Sequence, residues 1–338
     1  MNWLAVESIV CPVVDCAPCF GDDPLFVTVV ICTWNRSVLL DQTLEHLGSL
    51  IIPEGVEWEV LVVNNNCTDN TDEVIAKHAK NLPVHGLREP RSGKCHAANL
   101  AVASARGELI LWTDDDALVD PHWISAYVEA AKQWPDASFF GGTVDPLFAV
   151  EPPQWVKRNL AQLHGPFAIR QLDDRVRPLA DEERPFGVNM AIRSKVLTPG
   201  CFDVRIGPRE RDRIGGEDVA LISDLMQKGE KGVWVGTARV RHYIPAERLT
   251  KQYVWGWFYG FGATEVRLGY HSPFKTWFGI PRWMLRRYVS STLKLSINAP
   301  RENAQWLAAF QTKAKIAGMM SEFKTRGKAI QHEPRDST

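Results

Sequence analysis

Between residues 26 and 113, short apolar runs alternate with longer stretches that have helical spacing. The runs are rich in β-branched residues and have the length of buried strands, whereas leucine or alanine recurs every three or four positions in the stretches between them. This β-α-β-α-β-α-β order predicts an α/β fold with a parallel sheet and helices on both faces. The predicted strands are 26–33, 58–66, 84–89 and 108–113, and the predicted helices are 35–50, 67–82 and 92–107.

Polar residues follow three of the predicted strands at the point where each strand ends. The carboxyl ends of parallel strands meet at one edge of a sheet, and ligands of such folds bind there. We therefore expect these segments to line one crevice. They are Thr33, Trp34, Asn35 and Arg36 after the first strand, Asn64, Asn65 and Asn66 after the second, and Asp114, Asp115 and Asp116 after the fourth.

The three consecutive aspartates need something to balance their charge, because adjacent carboxylates repel and burying one unpaired is costly. One interpretation is a solvated turn ahead of a helix that starts near Asp120 and Pro121. The other is a site for Mg²⁺ or Mn²⁺ with a bound diphosphate, in which case the carboxylates need no protein cation. No glycine-rich dinucleotide or Walker A sequence follows the first strand, which argues against a plain NAD or P-loop enzyme.

Charge is spread unevenly over the 338 residues, which suffice for one large α/β domain with an appendage or for two domains. From residue 271 onward there are twelve Lys or Arg and four Asp or Glu, so this part carries about +8 and the remainder about −9. A basic C-terminal part suggests an anionic partner such as a membrane surface. The chain has no recognition motif for nucleic acid, so we expect no nucleic-acid partner.

The seven cysteines and the N-terminus favour a reducing, cytoplasmic environment. The first residues lack a basic n-region and include Glu7 and Asp15, so they do not resemble a secretory signal. Cys11, Cys16 and Cys19 are clustered, but their spacing matches no recognisable zinc site. No apolar run approaches the ~18–20 residues of a membrane span.

Five segments in order resemble the family-2 glycosyltransferases of GT-A fold: VTVVICTWNR, VLVVNNNCTDNT, GKCHAANLAVASARGELILWTDDD, FGVNMAIRSKVL and GGEDVALISDLMQKG. The resemblance covers about residues 26–265. It implies a Rossmann-like, mostly parallel central sheet and an inverting transferase that uses a nucleotide-sugar donor. We expect an N-terminal extension at 1–25, a GT-A domain at 26–245 and a C-terminal helical region at 246–338.

The resemblance also implies roles for the polar residues at the strand ends. Asp114 and Asp116 match the DxD motif, and with Asp115 between them they would bind Mn²⁺ or Mg²⁺ and the donor diphosphate. Family members commonly have an aspartate that holds uracil where this chain has Asn64, so UDP is favoured while GDP and dTDP stay open. The expected nucleotide site contains Thr33, Trp34, Asn35, Arg36, Asn64, Asn65 and Asn66, together with Arg91, Lys94 and Asn99.

A second acidic pair, Glu217 and Asp218, lies at the start of a predicted helix after two glycines. Acidic residues favour a helix N-terminus through its dipole, which is the purely structural interpretation. In the family this pair carries the general base, and we expect Asp218 first and Glu217 second in that role. A carboxylate can take the proton of a sugar hydroxyl as the new bond forms, and attack opposite the leaving group gives inversion.

Two further residues acquire candidate roles from the resemblance. Asn189 lies in a segment that lines the acceptor side in the family, so we expect it to contact the acceptor; a polar residue satisfied within a strand is the alternative. His242 lies where some relatives have a histidine that binds the metal or diphosphate. The stretch at 141–185 is expected to form a mobile acceptor lid.

The region after residue 250 is dense in aromatic residues with interleaved Lys and Arg. Its glycines, Gly256, Gly260, Gly262 and Gly269, are expected to interrupt any long helix in the first half. Residues 277–289 offer an apolar face beside arginines, which suits an interfacial helix on anionic lipid. Packing on the GT-A body or a dimer contact are the alternatives.

Together these observations predict a cytoplasmic transferase, peripheral on the inner face of the plasma membrane, that adds one sugar to a glycan or lipid-linked acceptor. The acceptor hydroxyl would belong to a surface polysaccharide or glycolipid. QYVWGW at 252–257 lacks the Arg-Trp of processive members, so a polymer synthase is not expected. The alternatives are a nucleotidyltransferase, which would want a glycine-rich basic loop after the first strand, and a catalytically silent GT-A module, which Asn64 favours.

Overall fold

The structure is a computed structural model that describes residues 25–208, 215–269, 276–277, 280–299 and 301–332, with side chains to residue 325. The cysteine cluster at Cys11, Cys16 and Cys19 lies outside these residues. The predicted α/β class with a mostly parallel sheet and C-terminal helices is confirmed. The strands are β1 (Leu25–Thr33), β2 (Val56–Asn64), β3 (Val84–Arg88), β4 (Leu109–Asp114), β5 (Ala117–Val119), β6 (Ala137–Phe148), β7 (Val176–Pro178), β8 (Met190–Arg193), β9 (Lys231–Ile244), β10 (Thr276–Trp277) and β11 (Ile280–Pro281).

Helices connect these strands and form a layer after them. Those within the α/β part are α1 (Ser37–Leu47), α2 (Thr71–His78), α3 (Lys94–Ser104), α4 (Trp123–Gln133), α5 (Gln154–Arg158) and α6 (Glu217–Gln227). The later ones are α7 (Lys251–Arg267), α8 (Arg282–Asn298) and α9 (Ala304–His332). Among the described residues, none of the helices combines the length and apolar character needed to cross a bilayer.

The main sheet has the order β3-β2-β1-β4-β8-β6-β9-β5, and β7 also pairs with β9. Strands β3, β2, β1 and β4 are parallel neighbours, whereas β8 runs antiparallel between β4 and β6. The register places Thr33 beside Asn64 and Cys32 beside Asp114. The polar residues that follow these strands therefore start from one edge of the sheet.

Apolar layers cover both faces of the sheet, which explains why the strands read as continuous apolar runs. On one face Val29 and Ile31 pack with residues of α1 and α4, including Trp123. On the other face Val30 and Trp112 pack with residues of α3 and α6. Both layers hold β1 and β4 rigidly at the centre of the sheet.

The expectation that glycines interrupt the chain after residue 250 holds only at Gly269, which has a φ of +102° and follows the end of α7. Helix α7 runs unbroken through Gly256, Gly260 and Gly262, because some of these glycines serve packing rather than interruption. A Cβ on Gly262 would lie 2.0 Å from the carbonyl oxygen of Lys315, so the backbones of α7 and α9 touch there.

The predicted mobile lid is wrong for part of 141–185. Residues 141–148 belong to the long strand β6, and β7 pairs with β9 in the main sheet. Arg177 of β7 binds both oxygens of Glu183, which follows that strand, at 2.8 and 2.9 Å. This part of the chain is held by sheet hydrogen bonds and ion pairs.

Candidate active site

Asp114 is the last residue of β4, and its side chain is partly exposed at the sheet edge. Its Oδ1 atom lies 2.8 Å from Nζ of Lys94, the first residue of α3. Burial would lower the pKa of Lys94, but the charges of Asp114 and Glu217 hold it well above its ordinary value. Lys94 is therefore a fixed cation beside the first aspartate.

Asp115 is buried against the end of β1 and the start of α1. It accepts hydrogen bonds from Thr33 Oγ1 at 2.8 Å and from Arg36 Nη1 at 2.6 Å. Its backbone carbonyl accepts a third, from Thr43 Oγ1. Burial raises the pKa of the Asp115 carboxyl to about 6, although Arg36 acts in the opposite direction.

Asp116 is also buried and lies among three groups from other parts of the chain. Its carboxylate is 3.0 Å from Arg36 Nη2, 3.0 Å from Arg248 Nη2 and 3.4 Å from His242 Nε2. Burial alone would raise the pKa of this carboxyl, but His242, Arg36 and Arg248 hold it well below the ordinary value. Asp116 is therefore an ionised carboxylate in the folded protein.

Protein cations thus balance the whole acidic triplet, which corrects the expectation that a metal and diphosphate alone would do so. The solvated-turn interpretation is wrong as well, because Asp115 and Asp116 are only 3% and 2% exposed. Sequence reasoning missed Arg248, which is 132 positions from Asp116 in the chain. The one indication in the sequence is that Arg248 lies six residues after His242, in the same segment.

The second acidic pair starts α6 directly after Gly216, whose φ of +96° suits glycine. Glu217 is buried with Lys94 Nζ at 3.5 Å, and burial raises the pKa of its carboxyl despite that cation. Asp218 Oδ2 accepts a hydrogen bond of 2.6 Å from the backbone N–H of Gly187. Its Oδ1 accepts one from the N–H of Val219.

One small pocket lies between the two acidic elements. Asp114, Lys94, Glu217 and Asp218 line it, and Lys94 joins Asp114 to Glu217. Cys32 lines it too, but burial raises the pKa of that thiol to about 12, so it is a poor nucleophile. The arrangement offers two acids with different surroundings and a fixed cation, which suits proton transfer beside an anionic group.

Asn64 and Asn65, expected at the nucleotide, are both buried and bonded within their own loops. Asn64 donates to Asp72 Oδ1 at 2.6 Å and accepts from the N–H of Cys67. Asn65 donates to the carbonyls of Glu89 and Arg91 and accepts from Gly93. These bonds show that both amides support their loops, and the expected contacts with the base stay a prediction.

The remaining residues at the ends of β1 and β2 are open to solvent. Trp34 is 39% exposed, and Asn66 is exposed with a φ of +62°. Asn35 has a φ of +51°, and its Oδ1 accepts a hydrogen bond from the N–H of Thr68. The indole of Trp34 is therefore an available flat surface at this edge of the sheet.

Arg91 and Asn99, which were expected to contact the nucleotide, both bind other residues of the protein. The exposed Arg91 binds Glu89 through Nε and Nη2, at 2.8 and 2.7 Å. Asn99 bonds both the N–H and the carbonyl of Phe202, so it supports the 202 segment. A nucleotide contact by Asn99 stays a prediction, beside this structural role.

Asn189 is fully buried, which contradicts its expected role at the acceptor. Its Oδ1 accepts from Trp123 Nε1 and Tyr127 OH, both at 2.7 Å. Its Nδ2 donates to the carbonyls of Thr143 and Ala238, both at 2.8 Å. The amide joins α4, β6 and β9 and has no capacity left for a sugar.

His242 has a fixed ring orientation, because Nδ1 lies 2.8 Å from the carbonyl oxygen of Phe167. The other nitrogen, Nε2, lies 3.0 Å from Arg248 Nη1 and 3.4 Å from Asp116 Oδ1. Within the described ranges, no three His, Cys, Asp or Glu side chains are arranged to hold a metal by themselves. Asp114, Asp116 and His242 carry donor types that Mn²⁺ or Mg²⁺ accept, but they do not form a ready-made site, so a bound diphosphate would have to supply further ligands.

Comparison with known proteins finds one matching family and several relatives. Residues 28–190 match the family model described as glycosyl transferase family 2. A glucosyl-dolichyl phosphate glucuronosyltransferase of Haloferax volcanii is 25% identical over 232 residues, which is 64% of this chain and 69% of that protein. A dolichyl-phosphate beta-glucosyltransferase of Trichomonas vaginalis is 33% identical over 105 residues, but these cover only 29% of this chain and 31% of that one.

A solved structure shows the same fold. The Staphylococcus aureus protein TarS, residues 1–349 in complex with UDP-GlcNAc, aligns with a TM-score of 0.50 and 15% sequence identity. The alignment covers 91% of this chain and 92% of that one. The acidic site, the sheet and the family match together identify residues 28–190 as a family-2 glycosyltransferase domain of GT-A fold, so the protein is a glycosyltransferase.

Proposed function

We propose that the protein is an inverting, metal-dependent transferase that moves one sugar from a nucleotide-diphosphate sugar, with UDP favoured, to a hydroxyl of a lipid-linked glycan. The observation that carries the proposal is the pocket shared by Asp114, Lys94, Glu217 and Asp218. The names of the Haloferax and Trichomonas relatives, which both refer to dolichyl phosphate, support a lipid-linked acceptor. The product would contribute to a glycolipid or surface polysaccharide.

In this proposal Asp218 is the general base. The N–H groups of Gly187 and Val219 orient its carboxylate at the pocket wall. A carboxylate so held can accept the proton of an acceptor hydroxyl as it attacks, an effect typically worth 10²–10⁴-fold. Glu217 is buried beside Lys94 and serves to position that cation.

Asp114, Asp116 and His242 would hold Mn²⁺ or Mg²⁺ together with the donor diphosphate. A bound metal would neutralise the charge that develops on the departing nucleoside diphosphate. Arg36 and Arg248 lie on Asp116 and are available as further cations for the phosphates. Trp34 offers a surface on which the base can stack.

A catalytically silent GT-A module that binds nucleotide or a protein partner is the second candidate. Two observations favour it: every aspartate of the triplet already has a protein cation, and Asn64 is bonded within its own loop. The two candidates differ in whether substitution of the general base removes an activity.

We predict that one nucleotide class stabilises the protein in a metal-dependent way. UDP-, GDP-, dTDP- and CMP-sugars are compared by thermal unfolding, each with Mn²⁺, Mg²⁺ or EDTA. Ligand at 100 times its Kd stabilises the native state by about 2.7 kcal/mol. Asp114→Asn should lose the shift, whereas the exposed Asp136→Asn should keep it. No shift with any donor, or an equal shift in EDTA, contradicts the proposed donor site.

We predict that Asp218→Asn lowers kcat for sugar transfer about 10²–10⁴-fold because the amide cannot accept the proton. Donor binding should persist, since the amide oxygen can still accept from Gly187. Asp224→Asn is a matched control on the same helix, at an exposed residue paired with Lys228. Full transfer by Asp218→Asn would show that another group is the base, and no transfer by wild type with any donor that binds would favour the silent module.

Part of the apolar face expected at 277–289 packs on the body, because Ile280 and Met284 are buried against residues of α7 and α9. A different stripe of helix α8 supports association with an anionic membrane. Val289, Leu293 and Ile297 are 58%, 61% and 77% exposed at successive four-residue intervals. Arg282 and Arg286 are exposed on the same helix, which has no acidic residue from its first to its last position. Two copies meeting through this face would bring like charges together, whereas anionic lipid complements both its charge and its apolar stripe.

We predict that vesicles containing phosphatidylglycerol sediment the protein and that neutral phosphatidylcholine vesicles do not. Leu293→Ser with Ile297→Ser should weaken binding at least tenfold, because two apolar side chains no longer enter the interface. Val150→Ser, at an exposed residue elsewhere, is the control. Equal binding by the double variant, or a concentration-dependent dimer that the variant abolishes, would contradict the membrane role of α8.

A further inference from the structure

Arg170 has an unusual environment beside the active site. Its backbone bonds Val144 of β6 in both directions, at 2.8 and 3.0 Å. Its guanidinium lies over the ring of Phe186, 5.5 Å from the centroid. The Nε atom is buried without a hydrogen-bond partner among the described residues, and no described carboxylate forms an ion pair with Arg170.

The neighbours of Arg170 do not neutralise it. Glu183 is close enough to influence Arg170, but both of its oxygens bind Arg177. Arg184 bonds Ser223 and backbone carbonyls, again without a described carboxylate. His164 stacks on Phe186 with the ring planes 10° apart. A partly buried cation without a counterion is costly, so an anion from outside is expected to complete it.

This cationic cluster, defined as Arg170 and Arg184 beside Phe186, adjoins both halves of the active site. Phe186 precedes Gly187, whose N–H holds the proposed base Asp218. The segment that carries His164 and Arg170 also supplies the Phe167 carbonyl that orients His242. An anion bound at the cluster would therefore lie beside the base and on the acceptor side of the pocket.

We propose that the cationic cluster binds a phosphate group of the acceptor. The inference rests on the proposed transferase function and specifies the chemistry of its acceptor. A guanidinium donates two parallel hydrogen bonds to phosphate oxygens, and a second arginine from a separate segment can reach a third oxygen. The ring of Phe186 gives the adjoining organic part of the ester an apolar contact.

The phosphate could come from a lipid phosphate or from a polyol phosphate, and titration calorimetry separates these sources. Farnesyl phosphate, glycerol 1-phosphate and neutral farnesol are titrated into the full chain, with and without UDP and Mn²⁺ to fill the donor site. Wild type should bind one of the two phosphates, and farnesol should bind at least tenfold more weakly than farnesyl phosphate. The phosphate that binds identifies the source.

Arg170→Gln should weaken phosphate binding about tenfold or more, because a hydrogen-bonded charge is lost. The phosphate affinity of Arg170→Lys should lie between those of wild type and Arg170→Gln. Arg158→Gln, at an exposed arginine on α5, should bind phosphate as wild type does. An unchanged nucleotide-induced thermal shift in Arg170→Gln shows that the variant is folded.

The inference is overturned if neither phosphate binds wild type, if UDP with Mn²⁺ displaces the phosphate completely, or if Arg170→Gln binds it unchanged. Failure of the proposed function gives a different pattern. In that case no nucleotide shifts any variant, while phosphate binding that depends on Arg170 persists.

Discussion

The pairing of buried Asp115 and Asp116 with Arg36 and Arg248 is the interaction on which the rest of the site depends. Two adjacent buried carboxylates are tolerable only with cations in contact. Those cations come from the residue that precedes α1 on one side and from the segment after β9 on the other. The same contacts therefore create the charged centre and join the N-terminal strands to the later part of the sheet.

Lys94 extends this charge network to the second acidic element. It lies on Asp114 and near Glu217, so the donor side and the base side of the pocket share one cation. A change in the charge around Asp114, such as the binding of a diphosphate, would change the electrostatic environment of Glu217 next to the proposed base. The protein thus links its two acidic motifs through a single side chain.

The strands around β1 and β4 and both acidic motifs could be predicted because their signals are local: apolar runs, strand ends and a helix start. The roles of the asparagines could not, because their partners are distant in sequence. Asn189 meets Trp123 and Ala238 only after the sheet has formed. Arg248 reaches Asp116 for the same reason, and an unbroken α7 depends on a backbone contact with α9 that composition does not reveal.

The central claim is that binding of a divalent cation and a diphosphate displaces Arg36 and Arg248 from Asp116. Anomalous diffraction at the manganese edge, from crystals grown with Mn²⁺ and the nucleoside diphosphate that stabilises the protein, tests it most directly. We expect a manganese peak coordinated by Asp114 or Asp116, with the Arg248 guanidinium moved from Asp116 toward phosphate. A bound nucleotide without manganese at the triplet, and with both arginines still on Asp116, would contradict the account.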